Sequence, residues 1–270
     1  MIAPWVDAEW VAAHRDEVVV ADVRWYLDGR SGRAAYEEGH IAGAVFVDLD
    51  SRLSRPASPA AGRHPLPDPA HFAAGMAELG IGDDDVVVAY DDAGGVNAAR
   101  LVWLLRVTGH RAALLDGGLA AWPEPLATEP VARAAAHFTA REWPADRLAG
   151  IDEVARGVAV VLDARDRNRF DGSFEPVDPR PGHIPGARSM PAREHLDPDG
   201  RFLDPGALRA RLAEVGADGD ADVICSCGSG VTACHTLLVL EAAGLPAGRL
   251  YPGSYSQWSN STRPVVTGSR

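Results

Sequence analysis

The sequence contains one series of motifs twice, in the same order. Val19–Arg24 (VVADVR) returns as Val160–Arg165 (VVLDAR), and Gly39–Ala44 (GHIAGA) returns as Gly182–Ala187 (GHIPGA). Three further pairs keep that order: Ala77–Gly80 with Ala213–Gly216, Gly95–Ala98 with Gly230–Ala233, and Leu115–Trp122 with Tyr251–Trp258. Self-similarity at a nearly constant spacing indicates a repeated structural unit. The 270-residue chain is therefore predicted to fold as two copies of one domain, each large enough for its own core.

Each half alternates short runs of β-branched residues with longer helical patterns. The predicted strands are Val18–Val20, Asp85–Ala89 and Ala112–Leu115 in the first half, and Val158–Leu162, Asp222–Cys225 and Leu250–Tyr251 in the second. The predicted helices, each ending beside a glycine that suits a left-handed cap, are His71–Leu79, Ala98–Val107, Gly206–Val215 and Thr232–Ala243. This alternation predicts an α/β fold in which each domain is a mainly parallel sheet flanked by helices.

The two predicted domains are joined by a linker. The first, expected to be non-catalytic, spans residues 1–124, and the second, expected to be catalytic, spans residues 150–270. Residues 125–149 are rich in Ala, Pro and Glu and have weak helix and strand signals, so they are predicted to form the linker.

Composition excludes several classes of function. The formal net charge is −12, and no basic cluster provides the footprint expected of nucleic-acid binding. No stretch has the length needed to cross a bilayer, and the first residues lack the order of a signal peptide. The three cysteines, confined to Cys225–Cys234, argue against a disulfide framework and for a reducing compartment. We therefore expect a cytoplasmic protein without nucleic-acid or membrane partners.

The strongest chemical signal is the segment Val223–Ala233, where a predicted strand, a loop of small residues and a helix start follow one another. Glycine and serine let such a loop curl so that several N–H groups point at one spot, beside the positive end of the helix. A cysteine at that spot is favoured as the nucleophilic thiolate. Cys227 is best placed for this role, whereas Cys225 in the strand and Cys234 in the helix are expected to be small buried side chains.

The equivalent loop of the first half, Tyr90–Ala98, has no cysteine. Alignment on the motif that opens the following helix places Asp92 opposite Cys227. One active site per chain is therefore expected, in the second domain.

Because His40 and His183 occupy matched places in both halves, a structural role in a turn is favoured for both.

Across nearly the whole chain, these motifs resemble those of the tandem-domain rhodanese family, which includes thiosulfate and 3-mercaptopyruvate sulfurtransferases. The resemblance implies a silent first domain, an active second domain and sulfane sulfur carried as a persulfide on Cys227, with no metal or organic cofactor. The loop is similar to that of the mercaptopyruvate branch, since thiosulfate enzymes of the animal type usually place Arg and Lys where this chain has Gly228 and Ser229. A small-molecule donor and a thiol, thioredoxin or cyanide acceptor are implied as partners.

The candidate site residues follow from the loop and from this resemblance. Cys227 is the predicted nucleophile, and Ser229 is predicted to assist catalysis. Contacts to the anionic sulfur are expected from the loop residues Gly228, Gly230, Val231 and Thr232. Arg169 matches the family's substrate arginine, and a guanidinium group can bind a carboxylate through two hydrogen bonds. Val177 stands where the mercaptopyruvate pattern has a second arginine, and Arg180 is the expected substitute.

Other functions of a loop thiolate stay open at this point. A persulfide carrier or sensor would use the same loop without turnover. A cysteine-dependent phosphatase or arsenate reductase would have an arginine at the far end of the loop, where this chain has Ala233. A metal site built from Cys225, Cys227, Cys234 and His235 lacks the paired spacing of zinc knuckles. Sulfur transfer is therefore the favoured prediction.

Overall fold

The computed structural model describes residues 2–269 and divides into two compact units. The first unit comprises the chain through Arg55 together with Pro67–Trp143 and Pro198–Phe202. The second comprises Pro56–Leu66, Pro144–Asp197 and the chain from Leu203 onward. Each unit therefore includes a short segment that lies, in sequence, within the span of the other.

The first unit is built on a parallel sheet of five strands. These are β1 (Trp5–Val6), β2 (Val18–Asp22), β3 (Val45–Phe46), β4 (Val86–Tyr90) and β5 (Arg111–Leu115), in the order β1-β5-β4-β2-β3. Its helices are α1 (Ala8–Ala13), α2 (Gly32–Glu38), α3 (Leu49–Arg52), α4 (Pro69–Glu78) and α5 (Ala98–Val107). Most of the predicted linker also belongs here: the Ala136 N–H donates to the Ala77 carbonyl at 2.9 Å, and the Asp83 N–H to the His137 carbonyl at 3.1 Å.

The second unit has a parallel sheet of four strands. These are β6 (Val160–Asp163), β7 (Arg188–Ser189), β8 (Val223–Ser226) and β9 (Arg249–Leu250), in the order β7-β6-β8-β9. Its helices are α6 (Ile151–Arg156), α7 (Arg167–Asp171), α8 (Pro205–Glu214), α9 (Ala233–Ala242) and α10 (Ser254–Ser259). The runs of Val, Leu and Ile in β6 and β8 are buried almost throughout, as expected of strands inside a parallel sheet.

The two sheets repeat one topology. The order β3-β2-β4-β5 in the first unit matches β7-β6-β8-β9 in the second. Asp22 of β2 pairs with Tyr90 of β4, and Asp163 of β6 pairs with Ser226 of β8 in the same register. Beside β9, where the first sheet has β1, the second has only an isolated parallel bridge at Leu148. The predicted α/β fold of two tandem domains with parallel sheets is confirmed.

The helices begin and end where local chemistry predicts. α4 and α8 both start with Asp-Pro, and the carboxylates of Asp68 and Asp204 each accept two N–H groups of the first turn. The four glycines predicted to close helices, Gly80, Gly109, Gly216 and Gly244, all have positive φ. The longest helices among residues 2–269 have ten residues, and none is long and apolar enough to span a membrane.

A buried ion pair holds the turn after β2 in the first unit and after β6 in the second. Arg24 binds Asp22 through Nη2 at 2.7 Å and donates to the carbonyl of Gly39 at 2.7 Å. Arg165 repeats these contacts with Asp163 at 2.7 Å and with the matching carbonyl at 2.8 Å. All four charged side chains are buried, so each pair fixes its turn instead of facing solvent.

The matched histidines also have structural contacts. His40 Nδ1 lies 2.8 Å from the carbonyl oxygen of Tyr36, and its ring stacks on the Tyr36 ring with centroids 3.9 Å apart. His183 Nδ1 lies 2.8 Å from the carbonyl oxygen of Phe170, with ring centroids 3.7 Å apart. Both histidines are fully buried, which confirms the structural role predicted for them.

Candidate active site

Cys227 is the first residue after β8, at the carboxyl edge of the second sheet. The loop that it opens leads into α9, which begins at Ala233. Cys227 is only 2% exposed, and its Sγ accepts a hydrogen bond from the Gly230 N–H at 3.1 Å. Gly230 has φ +77°, and a Cβ there would meet the Pro252 carbonyl oxygen at 2.5 Å, so this bend requires glycine. The loop therefore curls back on the sulfur.

The counterpart of Cys227 in the first unit is Asp91. Asp91 directly follows β4 as Cys227 follows β8, and the backbone carbonyls of the two residues accept N–H groups from Leu119 and Tyr255, both at 2.9 Å. The first loop is one residue longer before its helix begins, so alignment on the helix starts displaces the match by one position. The predicted pairing of Cys227 with Asp92 is therefore wrong, although the first loop does lack a cysteine.

The Asp91 side chain shows which kind of group this loop accommodates. Its fully buried carboxylate accepts four backbone N–H bonds: Oδ1 from Ala93 and Gly95, each at 2.8 Å, and Oδ2 from Asn97 at 2.7 Å and Ala98 at 2.9 Å. Burial raises the pKa of this carboxyl group, and the four donors act against that shift. The first loop therefore encloses an acidic group from its own chain.

In the second loop, the matching donors are open. Thr232 and Ala233 correspond to the two residues whose N–H groups contact Oδ2 of Asp91, and within residues 2–269 neither of them donates its N–H to a protein acceptor. The Gly230 N–H already contacts Sγ of Cys227. These three N–H groups can therefore stabilise an anionic sulfur carried on Cys227.

Ser254 fixes the backbone of Cys227. It is the first residue of α10 and has φ +49°, the one positive φ outside glycine among residues 2–269. Its buried hydroxyl accepts the Cys227 N–H at 3.2 Å and donates to the Tyr251 carbonyl at 2.8 Å. The first unit has Gly118 at this place, with φ +57°, where a Cβ would meet the Asp91 carbonyl oxygen at 2.5 Å. A left-handed serine is strained, and here the two hydrogen bonds of its hydroxyl offset that strain.

The hydroxyl of Ser229 is paired with the imidazole of His64. The two atoms, Oγ and Nδ1, are 2.8 Å apart, and both residues are buried. His64 belongs to Pro56–Leu66, the segment between α3 and α4 that forms part of the second unit. Sequence reasoning selected Ser229 and missed His64, because no spacing rule connects residues 165 positions apart and this histidine has no counterpart in the duplication.

Two guanidinium groups lie beside Gly228, the residue after Cys227. A Cβ on Gly228 would be 2.9 Å from Nη2 of Arg63 and 3.4 Å from Nη1 of Arg169. Glu175 binds Arg169 at 2.7 Å, and Asp178 contacts both arginines, at 3.0 Å from Arg63 and 3.1 Å from Arg169. Burial raises the pKa of the Asp178 carboxyl group against the opposing effect of the arginines. Arg169 is a predicted site residue, whereas no sequence signal singled out Arg63.

The guanidinium group of Arg180 is engaged away from these residues. Its nitrogens donate to four backbone carbonyls at 2.8–2.9 Å, those of Trp258, Ser259, Ser261 and Arg263. The Tyr255 hydroxyl in turn donates to the Arg180 carbonyl at 2.7 Å. Each guanidinium nitrogen already has a partner at the end of α10, so these contacts give no support to Arg180 as the second donor-binding arginine.

The other two cysteines are fully buried, and none of the three forms a disulfide. Burial raises the pKa of the Cys225 thiol far above its usual range. Cys234 Sγ donates to the Gly230 carbonyl at 3.4 Å, and its N–H donates to the carbonyl of Val231, another buried loop residue. The Cys227 sulfur, in contrast, accepts the N–H of Gly230 in the loop.

A family model of the rhodanese-like domain matches residues 7–124 and 148–261. The chain belongs to the rhodanese family. Both matches cover the duplicated motifs, so the repeat found in the sequence is a repeat of the rhodanese domain. The resemblance inferred from the motifs is confirmed.

Relatives of this rhodanese protein match it over nearly their whole length. A Pseudomonas aeruginosa protein with a 3-mercaptopyruvate sulfurtransferase name is 41% identical over 280 residues, covering 98% of this chain and 99% of the relative. The human 3-mercaptopyruvate sulfurtransferase is 37% identical over 279 residues, with 96% and 93% covered. A Mycobacterium tuberculosis protein with a thiosulfate sulfurtransferase name is 41% identical over 263 residues, with 94% and 92% covered.

Solved structures show the same architecture. The crystal structure of an Escherichia coli 3-mercaptopyruvate sulfotransferase superposes with a TM-score of 0.82 at 33% identity, covering 94% of this chain and 99% of that one. A Leishmania major 3-mercaptopyruvate sulfurtransferase gives 0.83 at 32% identity, covering 97% and 75%. This rhodanese protein is therefore a sulfurtransferase, an enzyme that moves sulfur from a small-molecule donor to an acceptor.

Proposed function

We propose that this enzyme takes the thiol sulfur of 3-mercaptopyruvate onto Cys227, where it becomes sulfane sulfur, and passes it to a thiol acceptor. The observation that carries the proposal is the Cys227 loop, in which one N–H group contacts the sulfur and two more are open beside it. The Asp91 carboxylate, bound by four N–H groups in the equivalent loop, supports an anion as the natural occupant. The names of the P. aeruginosa and human relatives support the donor.

The first half-reaction is an attack by the Cys227 thiolate on the donor sulfur. The S–S bond forms while the C–S bond of mercaptopyruvate breaks, and the electron pair of that bond leaves with pyruvate as its enolate. The enolate then gains a proton, the donor thiol loses one, and a persulfide anion stays on Cys227. The Thr232 and Ala233 N–H groups stabilise the charge of the outer sulfur. The reaction needs no external oxidant, because the sulfur leaves its bonding pair with pyruvate and accepts the thiolate pair.

Ser229 supplies a hydrogen-bond donor next to the leaving group. When Nδ1 of His64 carries a proton, it donates to Oγ of Ser229, and the hydroxyl hydrogen is free to donate elsewhere. In this reaction the hydroxyl of Ser229 would donate its hydrogen bond to the enolate oxygen of the departing pyruvate. The pairing therefore supports the catalytic role predicted for Ser229.

Arg169 supplies positive charge for the donor carboxylate. Its Nε and Nη2 are held by Glu175 at 3.2 and 2.7 Å, which fixes the plane of the guanidinium group. Nη1 lies on the side of Gly228, the residue after Cys227, 3.4 Å from the place of a Cβ built there. A guanidinium group fixed in this way binds a carboxylate with little loss of side-chain entropy.

Thiosulfate is the second candidate donor. It is also an anion with a transferable outer sulfur, and sulfite would leave in place of pyruvate. The name of the M. tuberculosis relative favours it. The same persulfide would form on Cys227, so the two donors differ only in the first half-reaction.

In the second half-reaction, a thiol such as that of thioredoxin, or cyanide in an assay, attacks the outer sulfur and releases Cys227 as thiolate. Double displacement of this kind gives ping-pong kinetics. A reducing compartment such as the cytoplasm suits this cycle, and the lack of a disulfide among the three cysteines supports it.

Steady-state release of pyruvate or sulfite from each donor, with a thiol or cyanide as acceptor, tests the proposal. We expect many turnovers with mercaptopyruvate, a higher kcat/KM than with thiosulfate, and no turnover by Cys227→Ser. A chain that takes up sulfur once and then stalls would instead be a persulfide carrier. Hydrolysis of p-nitrophenyl phosphate without sulfur transfer would replace the proposal with the phosphatase alternative.

A further inference from the structure

Two guanidinium ends face the same place above Gly228. The atoms nearest to a Cβ built there are Nη2 of Arg63, at 2.9 Å, and Nη1 of Arg169, at 3.4 Å. Within residues 2–269, neither of these two nitrogens donates to a protein acceptor. The N–H bonds of both groups are therefore available next to the residue that follows Cys227.

Carboxylates hold the opposite edges of the two groups. Asp178 spans them, with Oδ1 3.0 Å from Nη1 of Arg63 and Oδ2 3.1 Å from Nη2 of Arg169. Glu175 binds the remaining edge of Arg169. The backbone N–H of Arg63 donates to the Ser256 hydroxyl at 2.9 Å, which ties its segment to α10. The two free ends are thus positioned before any donor arrives, which lowers the entropic cost of binding.

The position of Arg63 also accounts for a gap in the sequence pattern. Val177 stands where a second arginine is expected, and its N–H donates to Glu175 at 3.0 Å instead of offering a cation. Arg180, the expected substitute, donates to four backbone carbonyls. Among these residues, Arg63 is the one that joins Arg169 beside Gly228.

We propose that Arg63 is the second cation of the donor site and determines its preference for donors that carry a carboxylate. This inference rests on the proposed sulfur transfer through Cys227. The planar carboxylate of a 2-oxo acid has two oxygens, one for each guanidinium end, while its sulfur extends toward Cys227. Arg63 and Arg169 balance the charges of Glu175 and Asp178, so an added carboxylate is recognised through directed N–H bonds more than through net charge.

Alkylation of Cys227 tests this without turnover. Iodoacetate and iodoacetamide react with the same thiolate, but only iodoacetate carries a carboxylate, so the ratio of their rate constants reports carboxylate recognition. We expect Arg63→Met to lower this ratio about tenfold or more, as for loss of a hydrogen bond to a charged group. Arg167→Met is the matched control, since Arg167 forms an exposed ion pair with Glu194 in the same unit. Its ratio should stay at the wild-type value.

The steady-state counterpart is a rise of about tenfold in KM for mercaptopyruvate in Arg63→Met with little change in kcat. If Arg63→Met fails to fold, Arg63→Lys serves instead. The single ammonium group of lysine cannot contact Asp178 and a donor carboxylate in the geometry of the guanidinium fork. The ratio of the iodoacetate to the iodoacetamide rate constant should therefore also fall in Arg63→Lys.

An alkylation ratio equal to wild type in the folded Arg63 variant would overturn the assignment of Arg63. If the wild-type chain releases neither pyruvate nor sulfite, the proposed function fails, while the alkylation ratio still measures whether Arg63 recognises carboxylates. The two failures are therefore distinguishable.

Discussion

The two loops of the duplication differ in the side chain at one position, which is Asp91 in the first loop and Cys227 in the second. Both follow a parallel strand, both bend back over the first loop residue, and both lead into a helix of ten residues. Asp91 fills the first loop with a carboxylate that accepts four N–H bonds. Cys227 has a smaller group at the same place and keeps matching donors open. The first loop is therefore a stable anion site with its anion built in, and the second can accept one.

Asp91→Asn tests this view of the first loop. The amide has one oxygen and one NH2 group, so two of the four N–H donors would face another donor. We expect the first unit to lose about 2–4 kcal/mol of stability, as for loss of charged hydrogen bonds in a buried site. Hydrogen exchange of peptides from β2 and β4 measures it. Asp92→Asn, at an exposed neighbour that accepts the Tyr26 hydroxyl at 2.7 Å, is the control, and equal protection in both variants would contradict the prediction.

Ser254→Gly tests whether the strained serine serves Cys227. Glycine removes a left-handed strain of about 1 kcal/mol but also removes the hydroxyl that holds the Cys227 N–H, a loss of similar size, so the unfolding free energy should change little. The rate of Cys227 alkylation by iodoacetamide should fall, because the hydroxyl that holds the Cys227 backbone is gone. Ser259→Ala, at a buried serine of the same helix, is the control. An unchanged alkylation rate in Ser254→Gly would show that Ser254 has only a structural role.

At the scale of elements, the helix that follows the Cys227 loop is joined to a 3-10 turn by a histidine pair. His195, at the end of the turn Ala192–His195, places Nδ1 3.3 Å from Nδ1 of His235 in α9. Both rings are fully buried and nearly parallel, with an angle of 7° between their planes. Burial, with a smaller contribution from Arg211, lowers the pKa of His195 to about 3. The folded protein therefore holds this imidazole neutral.

This pair predicts a specific acid sensitivity. The folded-state pKa of His195 lies below the unfolded value of about 6.5, so between these two values the unfolded chain binds a proton that the folded protein does not. The unfolding free energy is therefore unaffected by this group above about pH 6.5 and decreases as the pH falls toward about 3. In this window the unfolding free energy should decrease by about 1.4 kcal/mol per pH unit for this one proton. Denaturant titrations of wild type and His195→Gln between pH 7 and 4 measure the slope. Equal slopes in the two proteins would contradict the prediction.

Most of the regular elements could be predicted from the sequence because their signals are local. Runs of β-branched residues placed β2 and β4, and helical patterns ending beside a glycine placed α4 and α8, within two residues of their observed bounds. The helix α5 was placed at its observed bounds. The two-residue strands β1, β3 and β7 were not predicted, because such strands exist only through pairing with a longer neighbour. The extra residue in the first loop was missed because the alignment was made on the motif that opens the helix, which lies beyond that residue.

At the scale of the whole molecule, the predictable part of the site is the part on one contiguous loop. Cys227 and Ser229 follow from that loop, and Arg169 follows from a motif that resembles the family's. Arg63 and His64 come from a segment far away in sequence that the fold assigns to the second unit. Their places depend on packing against residues 115 and 165 positions away, which no local pattern encodes.

The central claim is that one thiol, Cys227, accepts and releases a single sulfur atom. Mass spectrometry of the intact protein and of its peptides after treatment with mercaptopyruvate, without an acceptor, tests it most directly. The account predicts a gain of one sulfur atom on the peptide that contains Cys227, none assigned to Cys225 or Cys234, and loss of that mass when a thiol acceptor is added. Sulfur found on another residue, or pyruvate release by Cys227→Ser at the wild-type rate, would contradict it.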